Sequence, residues 1–296
     1  MPEQLDFSSP HSFDRAISPF EEMAAYEALW SEQGATFKTI ADKFRQSPDT
    51  VPSELVSDNI REEFKKTLRE ILERYSVENF GVRVHGANEY PEKLRDAKHP
   101  IEILYYQGWW DLVNTRGIAV VGSRKVSEEG KRRTRKLVKY LVNDGFTIIS
   151  GLAEGVDTEA HRMALGLGGN TIAVIGTPLS HFYPKQNCEL QKFIRENYLL
   201  ISQVPFKRYL EQDYRANRLF FTERNITMSA VSEATIIVEA TDTSGTLIQA
   251  RAALEQGRKL FILDSCFQNH SISWPAKYEY LGAIRVRDYQ DIRQHL

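Results

Sequence analysis

Apolar and polar positions alternate in two different rhythms along the chain. From Pro19 to about Trp30, FEEMAAYEALW sets Phe20, Met23, Ala24, Tyr26 and Leu29 broadly along one side of a helix. A second helix is predicted from Phe37 to Phe44, ended by the two prolines of SPDTVPSELV. A third, from Ile60 to Tyr75, has Phe64, Leu68, Ile71 and Leu72 at helical spacing. After residue 80 the rhythm changes. Short, near-continuously apolar runs (GIAVVGS, FTIIS, TIAVIG, YLLIS, ATIIVEA, KLFIL, AIRV) alternate with helical stretches near 130–143, 158–166, 187–196, 224–232 and 246–256. Such runs suit strands buried on both faces, and the alternation means βαβ units with right-handed crossovers. The expected fold is α/β: a Rossmann-like parallel sheet with helices on both faces, preceded by a small all-helical N-terminal domain. Residues 1–16 have turn-type composition and are expected to form a flexible arm. The helical domain is placed at 17–78 and the Rossmann domain at 79–296, with 79–115 as a lead-in extension.

Composition narrows the class. A chain of 296 residues with 42% hydrophobic and 26% charged residues is globular, not disordered. No apolar run approaches the roughly 20 residues needed to span a bilayer. The start, MPEQLDFSSPHSF, has neither the basic head nor the apolar core of a secretory signal. A cytoplasmic location with no membrane partner is expected. Two cysteines, Cys188 and Cys266, without a CxxC give neither a disulfide framework nor a zinc site, so no metal and no cofactor are expected.

The net charge of −2 conceals an asymmetry. Residues 1–90 hold 10 Lys/Arg against 17 Asp/Glu, whereas residues 116–225 hold 18 against 11. The basic middle centres on KRRTRKLVK, Lys131 to Lys139, in which Lys131 and Arg132 are candidates for phosphate contact; a solvated helix face explains the run equally well. The acidic helical module could be read as helix-turn-helix, but no recognition helix rich in Arg, Asn or Gln follows the turn.

In an open α/β sheet, ligands bind outside the carboxyl ends of the strands. Three predicted strand ends carry suitable chemistry. In VVGSRKVSEEG, Gly122 permits a sharp exit, Ser123 offers a hydroxyl and an amide, and Arg124 a guanidinium. In SGLAEGVDTEAHRMAL, Gly151 and Gly155 bracket a turn after Ser150, and Asp157 or Thr158 is placed to cap the following helix. His161 would then stand within reach of Asp157 at (i, i+4). A structural use of this pair is the expectation, because no nucleophile or labile proton is nearby in the sequence. In VEATDTSGTLIQA, a strand ends at Glu239, and Ser244, Gly245 and Thr246 open a helix whose first amides suit a phosphate.

These segments, together with GGNTIAVIG, YPKQN, FFTERN and the upstream EYPEKLRDAKHPIEILYYQG, resemble in order and spacing the DNA-processing protein A family (DprA, also called Smf) over roughly residues 80–285. The most specific motif is SGLAxGxDxxAH. The resemblance implies a homodimer that binds and protects single-stranded DNA and loads a RecA-type recombinase, in DNA uptake, recombination or a related process, without catalysing a reaction. It implies DNA-phosphate contacts for Arg124 and Lys185 and a groove-rim position for Arg224 and Asn225. Phe182 and Tyr183, flanking Lys185, are candidates for base stacking; core packing is the competing reading.

The chain also departs from that pattern. Ile226 stands where a second arginine follows the Arg-Asn pair, Pro178 and Ser180 replace an expected glycine and aspartate, Gln203 replaces a glutamate, and DSCFQN replaces a Pro-Gly loop. The wider superfamily includes nucleotide-cleaving phosphoribohydrolases and nucleotide sensors, which leaves a nucleotide-binding sensor or nucleotide N-glycosidase as the alternative. Those hydrolases use a glutamate in a GTxxE loop; GTLIQA offers Ile248 and Gln249 there, neither able to take up a proton. Binding is therefore expected over catalysis.

Overall fold

A computed structural model describes residues 16–87 and 89–296. Apart from Ala16, the expected arm lies outside the described residues. Three helices come first: α1 (Pro19–Ser31), α2 (Phe37–Gln46) and α3 (Asp58–Arg74). α2 starts with a reciprocal box in which Thr36 and Thr39 each accept the other's backbone N–H. α1 is not one-sided as its spacing suggested: every residue from Glu22 to Trp30 is buried.

The remaining chain runs β1 (Phe80–Val84), β2 (Ile103–Gly108), β3 (Gly117–Val121), α4 (Glu128–Asn143), β4 (Thr147–Ser150), α5 (Val156–Gly166), β5 (Thr171–Ile175), α6 (Cys188–Asn197), β6 (Leu199–Ser202), α7 (Phe206–Glu211), α8 (Tyr214–Ala230), β7 (Ala234–Ile237), α9 (Thr246–Glu255), β8 (Lys259–Leu263), α10 (Asp264–Phe267), α11 (Trp274–Tyr280), β9 (Ile284–Val286) and α12 (Tyr289–Arg293). All nine strands join one sheet in the order β1-β2-β6-β5-β4-β3-β7-β8-β9. From β6 to β9 it is parallel, and the residues of β3 to β7 are buried, as their apolar runs required. The lead-in refines the expected parallel sheet to a mixed one. β2 pairs antiparallel with both β6 and β1, through Tyr106↔Ile201 and Tyr106↔Gly81.

Strand order decides where a ligand can sit. The chain steps from β3 outward to β6, then returns to the other side of β3 as β7. The carboxyl ends of β3 and β7 therefore flank the topological switch point, where loops leave in opposite directions and open a crevice.

Helices cover both faces of the sheet. One apolar cluster joins Leu137, Val138, Val156 and Ala160 of α4 and α5 to one face. On the other face a single cluster runs continuously from Met23 and Trp30, through Leu68 and Tyr105, to Phe220 and Tyr278. The boundary between 78 and 79 falls between α3 and β1, but the helical segment and the sheet share this core. Glu27 adds a polar tie: fully buried, it accepts from the backbone N–H groups of Phe206 (2.6 Å) and Lys207 (3.0 Å) at the start of α7. Burial pushes its carboxyl up to about 7, against the lowering effect of those two donors.

Candidate nucleic-acid interface

A cleft of about 980 Å³ lies at the switch point. One side is the exit of β3, Gly122 to Lys125; the other is α8; the loop 241–246 and the first turn of α9 close the end. α8 begins ten residues before the helix expected at 224, because Asp213 caps it by accepting the N–H of Ala216 at 2.7 Å. Its buried stripe holds Asn217, Phe220, Arg224 and Met228. The remaining face presents Tyr214, Arg215, Arg218, Phe221 and Asn225 to the cleft.

The lining is strongly cationic. It contains Arg124, Lys125, Arg215, Arg218 and Arg224 against one carboxylate, Asp157. Among the described residues, the side chains of Arg124, Lys125, Arg215 and Arg218 have no ion-pair partner. Such a crevice, walled by low-dielectric protein, concentrates anions. Two aromatics stand at its mouth: Tyr214, 72% exposed, and Tyr183, 37% exposed, with its ring edge-on to Phe221 at 5.1 Å.

The turn after β4 is built to hold its own shape. Ser150 Oγ donates to the carbonyl of Val120 at 2.7 Å. The Asp157 carboxylate accepts the amides of Gly151 (3.1 Å) and Ala153 (3.3 Å). Thr158 donates to the Ala153 carbonyl, and Asn187 donates to that of Leu152, each at 2.8 Å. Gly155 has φ +81°, and a Cβ there would lie 2.2 Å from the Ser123 carbonyl oxygen, so only glycine serves. His161 does not reach Asp157 as its spacing suggested. It is sealed beneath the turn, Nδ1 at 2.7 Å from Thr171 Oγ1, and burial pushes its pKa down to about 3. It is neutral at pH 7 and fully buried.

Arg224 is the floor of the cleft and is itself buried. Its Nη1 donates to the carbonyls of Gly151 (2.5 Å) and Val174 (2.7 Å), and its Nε to Asn225 Oδ1 (2.9 Å). A Cβ at Gly151 would lie 2.2 Å from that guanidinium. Burial brings the Arg224 pKa down to about 10, opposed by Asp157, and leaves it charged at pH 7. Asn225 passes the connection on, donating to the Gly245 carbonyl at 3.1 Å. Ser244 Oγ accepts the Thr246 N–H at 3.2 Å, and Thr246 Oγ1 reaches the Gly122 carbonyl at 3.3 Å, which ties the α9 end of the cleft to the β3 exit.

Other candidates fall outside this cleft. Lys131 pairs with Glu128 at 2.6 Å and Arg132 with Glu129, both inside the first two turns of α4. Glu239 turns away from the crevice and accepts the backbone N–H (3.1 Å) and hydroxyl (2.7 Å) of Ser127, the N-cap of α4. The helix N-terminus that a dinucleotide would use is thus already filled by an internal carboxylate. Phe182 packs under Arg195 and Lys192 of α6, at 5.3 and 5.8 Å. Lys185 is exposed beyond Tyr183 and is not part of the lining. Both divergent loops also point elsewhere. The His181 ring lies tilted against Tyr75 (5.3 Å) and edge-on to Tyr209 (5.1 Å), latching the 176–181 loop to the helical segment and to α7. Asp264 pairs with Arg285 on the far side of β8.

Sequence reasoning missed Lys125, Tyr214, Arg215 and Arg218. The signal for the last three was Asp213 as a cap, with positions 214, 218, 221 and 225 on one helical face. Among the described residues, no group of three or more His, Cys, Asp or Glu could hold a metal ion, and no helix is long and apolar enough to cross a membrane.

Fold and cleft define a class: an open α/β protein with a cationic crevice at its switch point. Residues 81–296 match the model of the DNA recombination-mediator protein A family, and the chain belongs to that family. The DNA processing protein DprA of Bacillus subtilis is 30% identical over 236 residues, 79% of this chain and 77% of that protein. DprA of Streptococcus pneumoniae is 39% identical over 175 residues, 59% of each chain. Protein Smf of Synechocystis is 37% identical over 198 residues; the match spans 66% of this chain and 48% of that protein. The X-ray structure of the Streptococcus pneumoniae DprA superimposes with a TM-score of 0.75 at 28% identity, covering 95% of this chain and 99% of that one. A structure of DNA processing protein A from Helicobacter pylori, concerned with that protein's single-stranded DNA binding mode, gives 0.63 at 27% identity over 74% and 96%.

Proposed function

We propose that the chain binds single-stranded DNA along the mouth of the switch-point cleft and acts as a recombination mediator in the cytoplasm. The observation that carries this reading is the set of four cations without ion-pair partners among the described residues, Arg124, Lys125, Arg215 and Arg218, beside two exposed tyrosines. Backbone phosphates take the cations and unstacked bases take the rings, which is the general solution for binding a single strand without sequence preference. Family membership and the Helicobacter pylori relative support the same ligand. Protection of the strand, its transfer to a RecA-type recombinase and action as a homodimer follow from the family resemblance and belong to the same proposal.

The protein works by binding rather than catalysis. Asp157 is committed to two backbone amides, His161 is sealed, and Gln249 occupies the step where a hydrolase would need a proton-accepting glutamate. A nucleotide sensor using the α4 N-terminus meets the Glu239 carboxylate instead.

The test is fluorescence anisotropy with labelled oligo-dT and with mononucleotides as competitors. Length-dependent binding abolished by Arg124→Glu supports the proposal. Full competition by a single mononucleotide at equal concentration would transfer the cleft to the sensor reading.

A further inference from the structure

A groove of about 640 Å³ lies between α4 and α12, at the carboxyl ends of β8 and β9, and shares no lining residue with the cleft. Topology leaves it open. β7, β8 and β9 step away from the switch point, so right-handed crossovers carry α9 and α11 to the face opposite α4. On the α4 face, among the described residues, this side of the sheet is covered by the five-residue α12 and the few residues after it. The layer has room for one more helix beside α4.

The charges of the lining do not balance. Each carboxylate is committed: Asp144 to the Tyr289 hydroxyl (2.8 Å) and Arg293 (3.3 Å), Asp264 to Arg285 and Gln268 (both 2.5 Å), and Asp288 to the N–H of Gln290 as the cap of α12 (2.7 Å). Lys136 and Arg287, by contrast, are exposed and have no ion-pair partner among the described residues, and Arg133 meets Glu129 only at 3.5 Å. The rest of the lining is largely apolar, with Leu137, Leu263 and Val286 beside the stacked rings of Tyr140 and Tyr289 (4.9 Å).

A ligand that fits combines negative charge with apolar side chains. A phosphate chain leaves the apolar floor unused, and to arrive from the cleft along α4 it would pass Glu128 and Glu129 in that helix's first turn. An amphipathic helix with acidic flanks satisfies both requirements and completes the layer.

Independently of the strand reading above, we infer that this groove docks an acidic amphipathic helix of a partner protein, its apolar side chains against Leu263 and Tyr140 and its carboxylates against Arg133, Lys136 and Arg287.

The test selects random phage-displayed peptides of about 16 residues, roughly four helical turns, on the full chain. The selected peptides are then titrated against wild type, the pair Lys136→Glu/Arg287→Glu and the milder pair Lys136→Ala/Arg287→Ala. Both positions are exposed, so both pairs should keep the wild-type melting temperature. Selected sequences should be acidic with apolar residues at i, i+3 or i+4, and i+7, and should lose at least about tenfold in affinity against the glutamate pair and less against the alanine pair. Their binding should persist in excess oligo-dT, and both pairs should bind oligo-dT as wild type does. Selection of no peptide, selection without an acidic excess, or affinity indifferent to both pairs overturns the inference and leaves the strand reading intact. Competition by oligo-dT, or weakened oligo-dT binding in the glutamate pair, would give the groove to DNA and overturns it as well.

Discussion

Arg218 and Arg224 lie on the same helix and line the same cleft, but their surroundings give them different work. Arg218 is exposed and has no partner among the described residues, so its charge is available to a ligand. Arg224 is buried, with its Nη1 between two backbone carbonyls and Asp157 as its counter-charge. Arg218→Glu should leave the melting temperature unchanged and weaken oligo-dT binding by at least about tenfold, with a salt slope reduced by about 0.7 for the lost phosphate contact. Arg224→Met should cost about 3–5 kcal/mol in urea unfolding, because it strands a buried carboxylate and two carbonyls. Equal loss of stability in both variants would contradict this division. The difference between the two arginines was not legible in FFTERN: the carbonyls that hold Arg224 lie 73 and 50 residues away along the chain. The bracing role of Asp157 was legible, because its partners Gly151 and Ala153 stand within the same turn.

Elements depend on how their ends are satisfied, and here two carboxylates do that work from a distance. Glu239 fills the N-terminus of α4, and Glu27 that of α7. Glu239→Gln should lower stability by about 1 kcal/mol, the usual worth of a helix cap, while oligo-dT affinity stays at the wild-type value. Glu27 has a pH signature. Its folded pKa, about 7, lies above the ordinary carboxyl value of 4.5, so folding favours the protonated form. Its contribution is complete below about pH 4.5 and is lost as pH rises through 7, by at most about 1.4 kcal/mol per pH unit for one proton. Glu27→Gln removes that loss. Urea titrations at pH 5, 6, 7 and 8 should show the variant gaining on wild type up to about pH 7 and holding its gain above it; a constant difference would show Glu27 to be charged throughout. The strands β3 to β9 and the three first helices were legible from apolar spacing, as was the change of rhythm between them; β1 and β2, in the lead-in, were not read as strands. The early start of α8 was not, because the polar residues of YRANR mask a helix that buries only Asn217 and Phe220 in its first two turns.

At the scale of the molecule, the asymmetry of charge was legible and its location was not. KRRTRKLVK holds six of the basic residues, yet α4 neutralises part of it with its own first turn and lies outside the cleft. The concentration of charge in the cleft comes from four residues drawn from the β3 exit and α8, which strand order brings together at the switch point. Net charge is −2, so attraction to a polyanion has to be local and salt-sensitive. Continuity of the core from α1 to α11 means that the helical segment and the sheet should unfold in one transition, with tryptophan fluorescence and far-UV signals coincident in urea.

The most direct test of the central claim is the affinity of the purified chain for labelled oligo-dT across a salt series. If each of the four cleft cations Arg124, Lys125, Arg215 and Arg218 meets one phosphate, a log–log plot should fall with a slope of about −3, and Arg124→Glu should abolish binding at moderate salt. A slope near zero, or unchanged affinity in Arg124→Glu, would contradict the assignment of this cleft to single-stranded DNA.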